Sequence, residues 1–116
     1  MALGAILGAS LRYFIGGKQL SIYGLPISVL IINILGSFIL GATMTGAEKF
    51  GLDGRYVLFL GVGFCGSFTT MSSFAYETVS LADAGKLLFT ILNVTFNVGF
   101  SLIAIVAGRA LTLFLV

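Results

Sequence analysis

The sequence predicts an all-α membrane protein, a single domain of four transmembrane helices, on three observations. Hydrophobic residues make up 59% of the chain and charged residues only 9%, whereas about a quarter of the residues in a soluble domain carry charge. At 116 residues a water-soluble fold would leave roughly a third of its unfolded surface exposed, and four acidic plus six basic side chains cannot cover it. The apolar runs are also long and continuous, without the alternation of a membrane β-barrel strand. A helical span takes ~20 residues, so four spans fill the chain and leave no soluble domain.

The approximate spans are 1–17, 25–44, 56–76 and 87–108. The first holds eleven uncharged residues before Arg12, with Gly4 and Gly8 in a G-x-x-x-G spacing that lets a neighbouring helix approach closely. A signal peptide fits poorly there, because no Lys or Arg precedes the apolar part and Arg12 interrupts it. The second span is entered through Pro26, expected in the first helical turn where a missing N–H costs nothing. It ends in a loop over 45–55, where Gly46, Glu48, Lys49, Gly51, Asp53 and Gly54 combine turn formers with charge. The third span reads G-V-G-F-C-G-S-F-T-T-M-S-S-F over 61–74. Three glycines with five hydroxyl residues at that depth predict a helix break near Gly66, and unwound backbone is tolerated there only inside protein or beside a cavity. The fourth span closes at Gly108 and Arg109.

Four spans put Lys49, Arg55 and Arg109 on one side and Arg12, Lys18 and Lys86 on the other. Orientation normally follows the Lys/Arg bias between sides. Three against three gives no instruction, so the sequence predicts insertion both ways round and an antiparallel, dual-topology homodimer.

Several function classes lose their residues. Six dispersed cations form no nucleic-acid patch despite the net charge of +2. Without histidine, and with Cys65 as the one cysteine, zinc and haem lack their usual ligands and an enzyme lacks a nucleophile–base pair. Gly61, Gly63 and Gly66 spell G-x-G-x-x-G, but the dinucleotide fingerprint needs a βαβ unit that this chain does not have.

The polar residues left inside the spans are uncharged. Asn93, Asn97 and Ser101 recur every four residues and share one helix face, flanked by Phe89, Phe96 and Phe100. Buried Asn and Ser often act only as helix–helix glue; together with Asn33 and a broken third helix they also make a polar interior. Amide N–H groups, hydroxyls and ring edges all stabilise an anion, and Arg12 near a span end concentrates anions at a mouth. Proton-driven transport usually needs a carboxylate or histidine within the membrane, while Glu77 and Asp83 are expected at or beyond a span end. Passive conduction of a small ion is favoured.

The stretches G-A-S-L-R-Y (8–13), N-I-L-G-S-F-I-L-G (33–41) and G-F-C-G-S-F-T-T-M-S-S-F-A-Y-E (63–77) identify a resemblance to the small bacterial fluoride channels of the CrcB/Fluc family over essentially the whole chain. The resemblance implies a dual-topology homodimer with two fluoride pores, each built from both protomers, in the bacterial inner (plasma) membrane. It implies a structural Na+ at the dimer centre, held by the backbone carbonyls of Gly66 and Thr69, and no organic cofactor. Asn33 would line the pore, Ser72 and Ser73 would add hydroxyls, Asn93, Asn97 and Ser101 would form the fourth-helix track, and Arg12 and Glu77 would lie towards the vestibules. The family pattern T-T-F-S-T-F carries two phenylalanines; here the first position is Met71 and only Phe74 remains, so each pore would keep one ring edge. The implied function is passive export of F- from the cytoplasm, giving fluoride resistance, with fluoride, the bilayer and a second copy of the chain as partners and no nucleic acid. A dual-topology, proton-coupled multidrug exporter is the alternative, and a structural membrane protein without transport is the third.

Overall fold

Four helical runs follow the apolar segments in order in the computed structural model, which describes residues 1–17 and 20–115. Lys18, one of the cations in the charge balance, lies outside the described residues. Helix α1 (Ala2–Gly16) leads to two short strands, β1 (Ser21–Ile22) and β2 (Leu25–Pro26), paired antiparallel. Tyr23 at φ 53° and Gly24 at φ 88° make the tight turn between them. Helix α2 (Ser28–Phe50) follows, then the third run: α3 (Gly54–Tyr56), a π-helical segment Val57–Cys65, α4 (Gly66–Phe68) and, after a break, α5 (Met71–Asp83). Helix α6 (Leu87–Leu115) completes the chain.

Three runs are long and apolar enough to cross a membrane: Ser28–Phe50, Gly54–Asp83 and Leu87–Leu115, of 23, 30 and 29 residues. The fourth, α1, has 15 residues, about 22 Å at 1.5 Å per residue, and is short of a full ~30 Å core.

Four boundaries differ from the sequence expectation, one of them the end of the third run, at Asp83 instead of 76. Pro26 is not in the first turn of α2; it sits in β2 opposite Ser21, and the helix begins at Ser28, whose hydroxyl accepts the Leu20 N–H at 2.8 Å. The loop expected over 45–55 is mostly helix, because Glu48 and Lys49 are simply the exposed end of α2, and the chain turns at Gly51 with φ 62°. Gly108 does not end the last helix. It lies inside α6 because α2 comes so close that a Cβ there would run into the Phe38 carbonyl oxygen.

That contact, reciprocated by Gly41 against Ile105, seats α6 on α2. The G-x-x-x-G pair of α1 works as expected: a Cβ on Gly4 or Gly8 would strike the carbonyl oxygens of Phe59 and Phe64 in the third run. The protomer buries few large side chains, Phe68 and Ile32 foremost, while Leu102, Ile103 and Val106 stand exposed on α6. Apolar surface on that scale needs a non-aqueous or protein neighbour.

Candidate functional site

The site is built around the break in the third run. Cys65 carbonyl accepts both the Thr69 N–H at 3.0 Å and the Thr69 hydroxyl at 2.8 Å, which closes the last helical turn. Thr69 then turns extended (φ −73°, ψ 156°), as does Thr70 (φ −147°, ψ 123°). Thr70 restarts the helix by accepting the Ser73 N–H on its hydroxyl at 3.2 Å, the ordinary N-cap of a threonine. The break therefore falls at Thr69–Thr70 rather than at Gly66, which keeps helical angles (φ −64°, ψ −31°).

Asn33, on α2, holds the break open. Its Oδ1 accepts the Thr70 N–H at 3.0 Å and its Nδ2 donates to the Thr70 carbonyl at 3.3 Å, a two-point clamp on one residue's backbone. Along the same helix Gly36 makes room for the Thr69 methyl, where a Cβ would collide with Cγ2. An unwound segment inside an apolar protein must find such partners for its backbone.

Further donors run head to tail from this clamp. Asn33 Nδ2 donates to Asn97 Oδ1 at 3.1 Å, Asn97 Nδ2 to Asn93 Oδ1 at 3.1 Å and to the Asn93 carbonyl at 2.9 Å, and Asn93 Nδ2 to the Thr78 hydroxyl at 3.0 Å. The Thr78 hydroxyl donates to the Phe74 carbonyl at 2.8 Å. The sequence treats these amides as N–H donors facing an ion; within the protomer both amide nitrogens of the inner pair are committed to protein oxygens. Ser37 and Ser101 hydroxyls make no hydrogen bond among the described residues.

Two hollows flank the break. The first, about 430 Å³, gathers Asn33, Met71, Phe74, Asn97 and Ser101 around Gly66, Thr69 and Thr70 and has no charged side chain in its wall. The second, about 780 Å³, gathers Arg12, Ser72, Ser73 and Glu77 beneath the β1–β2 hairpin. Thr70 lines both. Of the site residues that the family resemblance implies, Asn93 alone lines neither; it is 1% exposed, behind Asn97. Met71 is 74% exposed, so it rims its hollow without filling it. The phenylalanine stripe on α6 is present as a Phe96–Phe100 stack, centroids 5.2 Å apart.

Arg12 Nε and Glu77 Oε1 are closed off from solvent with no hydrogen-bond partner among the described residues. Glu77, expected at or beyond a span end, lies well inside α5, because that helix runs on to Asp83. Sequence reasoning missed Thr70 and Thr78. A hydroxyl pair straight after the glycines was the available signal for the first; the second has none without knowing that α5 and α6 face each other.

The carbonyls of Gly66 and Thr69 fit a hard cation. In a continuous helix their donors would be the N–H groups of Thr70 and Ser73, which go instead to Asn33 and to the Thr70 hydroxyl. Neutral carbonyl oxygens released in this way suit an ion without d-electron preferences.

The model of the family described as CrcB-like protein, Camphor Resistance (CrcB), matches residues 1–109. The chain belongs to that family. Similar proteins named fluoride-specific ion channel FluC include one from Sulfurihydrogenibium sp. (strain YO3AOP1), 43% identical over 114 residues that cover 96% of this chain and 92% of the relative. Another, from Methanocaldococcus jannaschii, is 42% identical over 113 residues, 97% of this chain and 91% of the relative. A third, from Nitrosopumilus maritimus, is 44% identical over 111 residues, 96% and 88% respectively. Within the CrcB-like family, then, this chain matches relatives named as ion channels, which is not an enzyme class, along nearly their full length. The matched span takes in both hollows and the break between them.

Proposed function

We propose that the protein is a passive, fluoride-selective channel that lets F- leave the cytoplasm and so confers fluoride resistance. The observation that carries this reading is the uncharged hollow at the Thr69–Thr70 break, with Asn33, Phe74, Asn97 and Ser101 converging on it in a chain similar to named fluoride channels.

The chemistry follows from the lining. Arg12 in the larger hollow raises the local anion concentration. Hydroxyls of Ser72, Ser73 and Ser101 and the positive rim of the Phe74 ring replace water around the ion, while Asn33 and Asn97, whose N–H groups are given to protein oxygens, hold the wall beside it in place. None of these inner groups is charged, so binding stays weak enough for release, as conduction requires. Fluoride enters a cell as HF in acidic surroundings and is trapped as F-, and a passive path down its gradient is enough to remove it.

The working form is an antiparallel homodimer with two pores, each completed by the second copy. The even division of cations between the two sides and the exposed apolar faces of the protomer support it. Gly66 and Thr69 carbonyls from both copies would hold a structural Na+, whose fixed positive charge ties the two breaks together. The setting is a cell membrane, crossed several times by each copy.

Glu77 is the one observation favouring proton-coupled export, since its carboxylate lies inside α5 and faces a large hollow. Liposomes loaded with fluoride or chloride separate the readings when ion-selective electrodes follow release after the membrane potential is short-circuited. Fast fluoride release with chloride retained, and no need for a pH gradient, is expected. Equal release of the two ions, release of neither, or release only under a proton gradient would remove the proposal.

A further inference from the structure

We propose that Thr78 and Asn93, which line neither hollow, are positioning residues for ion conduction, acting through Asn97 and Asn33 on the Thr69–Thr70 break. The inference rests on the channel reading above and adds to it a control element behind the pathway wall.

The hydrogen bonds run in one direction. Thr70 N–H donates to Asn33, Asn33 to Asn97, Asn97 to Asn93, Asn93 to the Thr78 hydroxyl, and that hydroxyl to the Phe74 carbonyl. Both ends of the relay lie on the segment that restarts after the break, and its middle crosses α2 and α6. A primary amide has one oxygen and one nitrogen, so fixing what one end does fixes the other. Asn93 accepts twice from Asn97 Nδ2, once on its own side chain and once on its carbonyl. Asn97 must then turn Oδ1 towards Asn33. Asn33 in turn must present Nδ2 to Asn97 and Oδ1 to the Thr70 N–H, which is the arrangement that diverts this N–H from Gly66. Bonds aligned head to tail polarise one another, so the last acceptor matters to the first donor.

Thr78 is the last side chain in the relay, accepting from Asn93 and anchored on the Phe74 carbonyl. With Asn93 1% exposed, its Nδ2 has no water to turn to when the hydroxyl is removed. The amide is then driven to flip or withdraw, and the orientation of Asn97 and Asn33 is no longer imposed from behind. A residue that served only as interhelical glue between α5 and α6 would have a local effect instead.

The test compares wild type, Thr78→Val, which keeps the shape and loses the hydroxyl, and Thr78→Ser, which restores it. Two readouts are taken: fluoride release from liposomes, and the side-chain amide 15N–1H resonances of Asn33 and Asn97 in nanodiscs. The valine variant is expected to slow release roughly fivefold, the scale of one buried hydrogen bond, and to move the resonances of both asparagines although neither is hydrogen-bonded to Thr78. Serine should return both readouts to wild type. Thr78→Cys, a weak acceptor, should go the same way as valine and serves if the valine variant does not assemble. Unaltered release in the valine or cysteine variant, or an Asn33 resonance that stays in place, overturns the inference while wild-type fluoride release leaves the channel reading standing. Wild-type protein that releases no fluoride overturns the channel reading, and this inference with it.

Discussion

Replacing Asn33 by alanine removes three hydrogen bonds at once: from the Thr70 N–H at 3.0 Å, to the Thr70 carbonyl at 3.3 Å and to Asn97 Oδ1 at 3.1 Å. Side-chain hydrogen bonds between membrane helices average ~0.6 kcal/mol with a maximum near 1.7, so three contribute about 2 kcal/mol and at most about 5. The Thr70 N–H left behind is buried with its residue, 8% exposed, and in a continuous helix it would turn to the Gly66 carbonyl. The third run would then tend to heal across the break and close the hollow. A loss of about 2 kcal/mol from the conducting arrangement is ~30-fold in its population, at 1.36 kcal/mol per decade. The assay is fluoride release from liposomes for wild type, Asn33→Ala and Asn33→Asp, with thermal unfolding in detergent run alongside. Alanine should cut release by about 30-fold or more and lower the unfolding temperature. Aspartate keeps the acceptor for the Thr70 N–H but loses both donations, to the Thr70 carbonyl and to Asn97 Oδ1, and sets a carboxylate oxygen against those two acceptors, so it should conduct no better than alanine. Asn33→Ala protein that releases fluoride at the wild-type rate would refute the clamp.

Met71→Phe should be tolerated by the fold, because residue 71 is 74% exposed on the rim of the hollow; release rates should match or exceed wild type if the second ring edge contributes, and a fall would count against ring-edge binding. Gly8→Val places a branched side chain against the Phe64 carbonyl, forcing a backbone shift of the kind that costs 1–3 kcal/mol or more, so thermal unfolding should move down by several degrees. Asp53, outside the spans, has its carboxyl held below its ordinary 3.8 by the Arg55 N–H first and by the Arg55 guanidinium second. A depressed carboxyl supports the folded state above its unfolded value and loses that support as the pH falls through its folded value. Titrating the Asp53 carboxyl carbon by NMR should therefore show a midpoint below 3.8, and Arg55→Gln should raise it.

What could be read from the chain alone depended on how local each feature is. The close approach at Gly4 and Gly8 is written in their spacing, and the shared face of Asn93 and Asn97 follows from helical periodicity. The break was legible from the crowd of glycine and hydroxyl residues, but not its position. Gly66 is at ease in a helix; what opens the chain is the Thr70 N–H leaving for Asn33 on another helix. Gly108 looked like a stop signal and is a packing surface, a distinction that needs the partner backbone of Phe38. The direction of the amide relay was out of reach for the same reason, since it is set by Thr78 on a helix apart from the asparagines. Glu77 looked terminal because hydropathy fades after Tyr76, while the helix itself continues.

An uncharged hollow beside a broken helix should conduct fluoride and reject chloride. Planar bilayers holding the wild-type protein, with opposed fluoride and chloride gradients, test it in one number. The reversal potential should sit at the fluoride equilibrium value, unchanged by swapping chloride for another large anion and unaffected by a pH difference across the membrane. A reversal at the chloride value, or one that follows the proton gradient, would contradict the account.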